Sequence, residues 1–511
     1  MESSPSKKIA PAKQSSPSSY SAAHSVWTPE SMVIPVTYLC SGLLLSFPQA
    51  YVEFFPRTLH ASDAQLATIK VVRFLPWSIK VLFGVLPDNF PVRQQRFKPY
   101  ILLGYAMSSL FHLLLALYTD SLTIVSFAVL LLGAMVGIVL SDVMSDALVA
   151  NRVLQKQEAY AGQVQSTVYL CRYFSEMLGY WGGAILSNPG GWGFGVSMAQ
   201  LFAFLALLPV FTVFPCVYLL DEPATTHVSS WRHQLDTLWA MLQRRATWQP
   251  ISFLALFNVM LLHNASWGNY LGVAYHFDAF EYGALSAIAA TVTFGSVALY
   301  RVWIMPHFAS PWHHVYLLTG CIISLFSALN VLLVFRVNVA VGVPAFWFAV
   351  GDSAVISFAK GFQQLPLATM LVSVCPPNQE GVAFALLTSI VNLSHAFAHT
   401  ISNMLLRIWP VELADLERGE FDGVWRLTLL TSAVSLVPLL FLKRLLPRGQ
   451  AEQEAMKNDF SPRGAKIVVV LYVVGFVWVV ALSLLAVAEP CNPLVGGHGC
   501  PPAEAPHILR P

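Results

Sequence analysis

The sequence predicts an all-α polytopic membrane protein: two six-helix bundles and one additional C-terminal transmembrane helix. Three observations predict it. Of 511 residues, 56% are hydrophobic and only 11% are charged, whereas soluble domains carry about a quarter charged residues. The mean hydropathy is +0.60. The apolar residues gather into runs of roughly twenty, the length that crosses a bilayer. These runs fall as six, a polar linker, six, a second polar linker and one more. The formal net charge of +2 gives no reason to expect nucleic acid as a partner. The expected partner is the lipid bilayer.

Residues 1–32 are rich in Ser, Pro, Ala and Lys and hold no apolar core of the kind a cleavable signal needs. They read as a disordered cytoplasmic tail. The N-terminal bundle, 33–220, contains spans near 33–55, 64–86, 100–118, 122–143, 164–187 and 197–220. A cytoplasmic linker, 221–249, holds Asp221, Glu222, Arg232, Asp236, Arg244 and Arg245 and reads as an amphipathic surface helix. The C-terminal bundle, 250–446, contains spans near 250–271, 283–305, 314–336, 344–374, 381–406 and 424–446. A polar linker, 447–465, precedes the thirteenth run, 466–488, and a tail, 489–511.

Orientation follows the excess of Lys and Arg in cytoplasmic loops. With the N-terminus inside, that side receives Lys7, Lys8, Lys13, Arg93, Arg96, Lys98, Arg152, Lys156, Arg232, Arg244 and Arg245, among others. The opposite side receives Arg57, Arg336, Arg407 and Arg418. The C-terminal tail then lies outside, where Cys491 and Cys500 either pair or stay free; spacing does not decide between the two. The seven cysteines show no C-x-x-C spacing, so no metal or redox site is expected, and no cofactor.

Two interruptions are possible in the tenth span, at Gly361 and Pro366. Either the helix is broken there, as helices are at transporter binding regions, or it is one helix kinked at Pro366. Gly179 and Gly183 in the fifth span are spaced for close helix contact. The wording HAFAH puts His395 and His399 at i,i+4 in the eleventh span. No Glu accompanies them as a helical zinc motif requires, so polar packing or a proton relay is the expectation.

Charges inside a bilayer cost several kcal/mol unless they face a cavity or a partner. Arg73 and Lys80 share a face of span two, and Arg172 and Glu176 share a face of span five. For Glu176 an ion pair within the helix is the better reading; for Arg172 that pairing and a cavity position stand level. In span ten, Asp352 and Lys360 lie two turns apart, with Gln363 and Gln364 following. Cations in one half facing a carboxylate, an amine and amides in the other would make a cavity for an anionic substrate. The candidate substrate-binding residues are therefore Arg73, Lys80, Arg172, Asp352, Lys360 and Gln363. Asp142 and Asp146, at the end of span four, are placed at the cytoplasmic mouth. They are expected to act as a gate, pairing with Arg93, Arg96 or Arg152 when the cavity is closed to the inside, more than as substrate contacts.

Between spans two and three, Gly84 and Asp88 form G-x-x-x-D, which opens the signature of major facilitator transporters. The fuller wording, LPWSIKVLFGVLPDNFP followed by RFKPY, resembles the folate–biopterin transporter family. That family typically has Pro where this chain has Val81 and Ser where it has Pro87. Two further stretches carry the resemblance. One is SDVMSDALVANR, with Asp142 and Asp146. The other is the region from Gly351-Asp352-Ser353-Ala354 to CPPNQEGVAFALLTSIVN, with Cys375, Pro376, Pro377, Glu380, Phe384, Ala385, Leu386, Ser389 and Asn392. The resemblance spans about 33–446 and leaves out the tail and the thirteenth run.

The resemblance implies a secondary transporter of folate, biopterin or related pterins, working by alternating access. It implies a conformational, gating role for Asp88, with Arg96 beside it. Folate carboxylates suit Arg and Lys, and a pterin amino-pyrimidinone edge could donate to Asp352. Trp77, Tyr169, Tyr173 and Trp181 are available for stacking. Proton coupling stays open, with Glu53 and Asp352 as candidate carriers, because a carboxylate in low dielectric holds its proton more tightly. The alternative is a carrier of S-adenosylmethionine or a nucleoside. A polytopic enzyme or a receptor is disfavoured: the loops are short and hold no paired catalytic residues. The plasma membrane is the default location.

Overall fold

The structure is a computed structural model, and it describes residues 28–59, 61, 63–154, 161–187, 193–222, 224, 230–304, 312–376 and 379–496. The expected tail up to residue 27, Lys156, Pro377 and Cys500 lie outside them, as does the side chain of Arg152.

The first half runs α1 (Val33–Ser46), α2 (Gln49–Thr58), α3 (Asp63–Phe74), α4 (Lys80–Asn89), α5 (Lys98–Leu117), α6 (Ile124–Leu154), α7 (Ala161–Leu186) and α8 (Met198–Leu219). The surface helix α9 (Trp231–Gln243) follows. Then come α10 (Arg245–Met260), α11 (Trp267–Tyr275), α12 (Ala279–Leu299), α13 (Trp312–Val334), α14 (Ala345–Val372), α15 (Glu380–Met404), α16 (Asp422–Val434) and α17 (Pro462–Ala488). Among the described residues, nine helices are long and apolar enough to cross a membrane. Three long helical stretches fall short of that measure: α3–α4, α7 and α14. They carry Arg73 and Lys80, Arg172 and Glu176, and Asp352 and Lys360.

Prolines set the breaks. Pro48 separates α1 from α2, and Pro76 opens a tight 3₁₀ turn, Leu75–Ile79, between α3 and α4. A proline has no N–H for the carbonyl four residues back, so the α ladder cannot pass through it undisturbed. Pro87 does not end α4, which continues to Asn89. There the Asn89 side chain donates to the Val85 carbonyl at 2.8 Å.

The seventh span is not one helix. It stops at Met260 and resumes at Trp267. Asn264 makes the turn: its Oδ1 accepts from the Ser266 backbone at 3.0 Å and from the Ser266 hydroxyl at 2.8 Å. Asn competes with the helix ladder in this way wherever it folds back on its own backbone. The tenth span, by contrast, is continuous from Ala345 to Val372 with Pro366 inside it. Gly361 serves packing there, since an added Cβ would stand 1.8 Å from the Ser296 hydroxyl of α12. The Gly179–Gly183 pair serves packing as well, against Ser46 and Phe47.

Buried apolar side chains form one large cluster almost wholly from 33–220 and two from the later helices. The linker helix α9 buries Leu238, Met241 and Leu242 and leaves Arg232 in solvent, as an amphipathic surface helix does. On α17, Gly464, Ala465, Gly475 and Val479 face the protein, while Ile467, Val470, Leu471, Val474 and Val477 are exposed. Small residues inward and large ones outward are what a helix packed on one side and facing lipid on the other requires. Cys491, just past α17, is disulfide-bonded, and its partner lies outside the described residues.

Candidate functional site

Two centres stand out, one in each half. The first is a closed ion network. Lys80 Nζ lies 2.8 Å from Asp142 Oδ2 and 3.0 Å from Asp146 Oδ2. Arg172 donates to Asp142 Oδ1 at 3.0 Å and to Glu176 Oε1 at 3.1 Å. The Tyr38 hydroxyl donates to the other Asp146 oxygen. The Trp77 ring lies 4.9 Å from both Lys80 Nζ and the Arg172 guanidinium. Two cations thus meet three carboxylates, with Lys80 and Asp142 almost fully buried. A buried pair of this kind is costly to break on one side, because the charge left behind has no partner.

This corrects the expected pairing. Asp142 and Asp146 do not pair with Arg93 or Arg96. Helix α6 runs on eight residues past Asp146 to Leu154, about 12 Å at 1.5 Å per residue. Arg96 pairs with Asp88 instead. Gln234 of α9 donates to the second Asp88 oxygen at 3.1 Å and accepts from Asn89 at 2.6 Å. Asp88 therefore ties the loop after α4 to the linker helix. Glu222 caps the next helix, accepting from the backbone N–H groups of Arg96, Phe97 and Lys98 at 2.6–2.9 Å. A carboxylate belongs at a helix N-terminus, where the N–H groups have no helical partners.

The second centre is a cavity of about 280 Å³. The α10–α11 break contributes Leu261, Leu262 and His263; α14 contributes Lys360, Gln363 and Gln364; α15 contributes His395 and His399. Lys360, His263, His395 and His399 are exposed there, although each lies well inside its span. The His263 and His399 rings are 4.5 Å apart, edge to face. Ser402 holds the break: its hydroxyl accepts from the His263 backbone N–H at 3.2 Å and lies 3.2 Å from His263 Nδ1. Gln363 donates to Thr319 at 2.7 Å. No hydrogen bond or ion pair holds the Lys360 ammonium among the described residues. No group of three His, Cys, Asp or Glu among them is placed to hold a metal.

The six expected substrate-binding residues are thus not gathered in one place. Lys80 and Arg172 belong to the ion network. Arg73 is buried elsewhere, donating to the Leu45 carbonyl and to Gln49. Lys360 and Gln363 line the cavity, but Asp352 does not: it accepts from Asn330 at 2.9 Å. Glu53 accepts from Gln49 at 2.6 Å and lies 3.6 Å from Lys70. His263, Tyr38 and Ser402 were not anticipated. The Asn264-x-Ser266 turn was the readable signal for His263.

The 3₁₀ turn between α3 and α4 is held from outside. In a continuous helix Val81 N–H would bond to the Trp77 carbonyl. Here Val81 N–H donates to Ser389 at 3.1 Å, and Asn392 donates to Trp77 O at 3.2 Å. The Tyr472 hydroxyl of α17 takes the neighbouring Ser78 carbonyl at 2.5 Å. Freed backbone groups at membrane depth must find partners within the protein. One turn on, Gly84 lies so close to α15 that an added Cβ would be 3.0 Å from Ala385 Cβ and 3.2 Å from Val382 Cα.

The model of the BT1 family matches residues 42–462. This chain belongs to the BT1 family, the folate–biopterin transporters. It is 24% identical over 436 residues to a folate-biopterin transporter of Synechocystis, covering 84% of each chain. It is 25% identical over 437 residues to a probable folate-biopterin transporter of Arabidopsis thaliana, covering 82% of each. It is 22% identical over 412 residues to a folate transporter of Plasmodium falciparum, covering 79% of this chain and 77% of that one. Among solved structures it is similar to a D-xylose–proton symporter, with a TM-score of 0.61 at 12% identity over 81% of this chain and 98% of the other. A nucleoside transporter gives a TM-score of 0.56, also at 12% identity, over 82% of this chain and 100% of the other. The fold is that of the major facilitator superfamily, in an integral multi-pass membrane protein. In this BT1-family chain, the stretches that carry the family wording supply Lys80, Asp142 and Asp146 to the network, Lys360 and Gln363 to the cavity, and Ser389 and Asn392 to the held turn.

Proposed function

We propose that the chain carries folate, or a related pterin bearing a carboxylate, across a membrane by alternating access, with the cavity beside Lys360 as the binding centre. One observation carries this reading: the Lys360 ammonium opens into a polar cavity without a partner among the described residues. The other three cations in the candidate set, Arg73, Lys80 and Arg172, are each committed to a carboxylate, an amide or a carbonyl. An unpaired cation in a cavity costs free energy until an anion arrives. Folate supplies carboxylates, and Gln363 and Gln364 offer amides to its ring edges. A sulfonium substrate would face Lys360 as a like charge, which disfavours S-adenosylmethionine here. The volume of 280 Å³ sits at the lower end of ligand pockets, about 300–1,000 Å³, so the substrate is compact or the cavity widens as it fills.

In this reading 33–220 and 250–446 are the halves that rock. The Lys80–Asp142–Asp146–Arg172 network holds the first half together, and Asp88 with Arg96 acts at the cytoplasmic side. The N-terminus is cytoplasmic, the protein works as a monomer, and the plasma membrane is its site. Uptake of labelled folic acid and biopterin by a transport-deficient host expressing the chain tests the substrate class. No uptake of folic acid, with the protein in the membrane, would contradict it, whether or not biopterin is taken up.

A further inference from the structure

Three imidazoles and an amine share the cavity, and no carboxylate joins them. His263 stands at the α10–α11 break, 4.5 Å ring to ring from His399. His395 lies one turn below His399 on α15. The charged groups that act on these rings are Lys360 of α14 and Lys70 of α3. Lys70 is itself beside Glu53, at 3.6 Å. From α13 the cavity receives Tyr316, and from α10 Asn258, neither of them charged. Tyr472 of α17, which packs on α15, is turned to the Ser78 carbonyl.

The electrostatics of this arrangement run one way. A proton on any of the three rings adds a cation to a cavity that already holds Lys360, which is unfavourable alone. A carboxylate arriving alone has Lys360 to pair with, but a second carboxylate has no fixed cation. If proton and carboxylate come together, each offsets the other. Histidine is the side chain whose ordinary pKa, about 6.5, allows this near neutral pH. The edge-to-face His263–His399 pair can share one added proton, with Ser402 beside His263 Nδ1 at 3.2 Å.

We propose that His263, His395 and His399 form a carboxylate subsite of the cavity that fills only together with a proton. The inference rests on the folate reading of the same cavity. It differs from the earlier expectation by placing the coupled proton on imidazole rather than on Glu53 or Asp352. One imidazole nitrogen takes one proton from cavity water, one carboxylate of the substrate lies against it, and no bond of the substrate changes. Reversing the step on the other side of the membrane releases both. Binding linkage is reciprocal, so the proton must raise the affinity for the carboxylate as much as the carboxylate raises that for the proton.

The test is titration calorimetry of the purified full-length chain with folic acid, which carries two carboxylates on its glutamate, and with biopterin, which carries none. Each titration is run in two buffers of different ionisation enthalpy, so that the heat difference counts protons. The expected result is about one proton taken up per folic acid between pH 7 and 8, with affinity falling about tenfold per pH unit there, and no proton taken up with biopterin. The triple variant His263→Gln, His395→Gln, His399→Gln should remove the proton uptake while folic acid still binds through Lys360. Folic acid binding without proton uptake overturns the subsite and leaves the folate reading standing. No binding of folic acid at any pH overturns both. The wild-type proton count decides even where a variant fails to fold.

Discussion

Asn392 donates to the Trp77 carbonyl at 3.2 Å, and so replaces from α15 a hydrogen bond that span two would otherwise make within itself. Ser389, one turn earlier on the same helix, takes the other end of that missing bond at Val81. The turn therefore exists only as long as α15 lies against it. Trp77 is also the ring on which Lys80 and Arg172 rest, which links the turn to the ion network.

Asn392→Ala leaves the Trp77 carbonyl without that partner. An unsatisfied buried group costs about 1–3 kcal/mol. The detergent-solubilised variant should unfold at a clearly lower temperature, and Tyr472→Phe should do the same through Ser78. Unchanged melting of both variants would mean that the turn needs neither bond.

Lys80→Ala takes from Asp146 the cation it pairs with and leaves Asp142 to Arg172 alone. Breaking one side of a buried pair costs about 3–5 kcal/mol. The double variant Lys80→Ala with Asp142→Asn should lose less than the two single losses summed, since neighbouring partners are not additive. Additive losses in thermal unfolding would show that the two groups do not act as a pair.

Gly84 allows α4 and α15 to approach each other. Gly84→Ala asks its neighbours to give by a few tenths of an ångström, and Gly84→Val asks for more. The expected order of folic acid transport rate is glycine, alanine, valine, with binding affinity in purified protein changed little. Equal rates for all three would remove this contact from the transport cycle.

Asp352 is turned to Asn330 and away from the cavity. Asp352→Asn should therefore leave KM for folic acid within about twofold of the wild type, less than ~0.5 kcal/mol of binding free energy. A tenfold rise in KM would place Asp352 on the substrate after all.

The many apolar helices and the small-residue contacts were readable because they depend on neighbours along the chain. Gly179 and Gly183 announced a close helix contact by spacing alone, and it is there. Partners between spans were not readable, since nothing in the spacing says that Lys80 reaches Asp142 rather than a substrate. Of the two readings of the tenth span, the continuous helix with Pro366 inside it is the one present, and Gly361 makes room for Ser296. The break lies at Asn264, whose side chain folds back on Ser266. Short polar residues that bond their own backbone marked the break better than the proline did.

Lys360 is where the account is most exposed. Uptake of labelled folic acid should be compared among the wild type, Lys360→Arg and Lys360→Gln at matched surface expression. The account predicts that Lys360→Arg keeps measurable uptake and Lys360→Gln loses at least about tenfold in kcat/KM, or ~1.4 kcal/mol. Wild-type uptake by Lys360→Gln would contradict it.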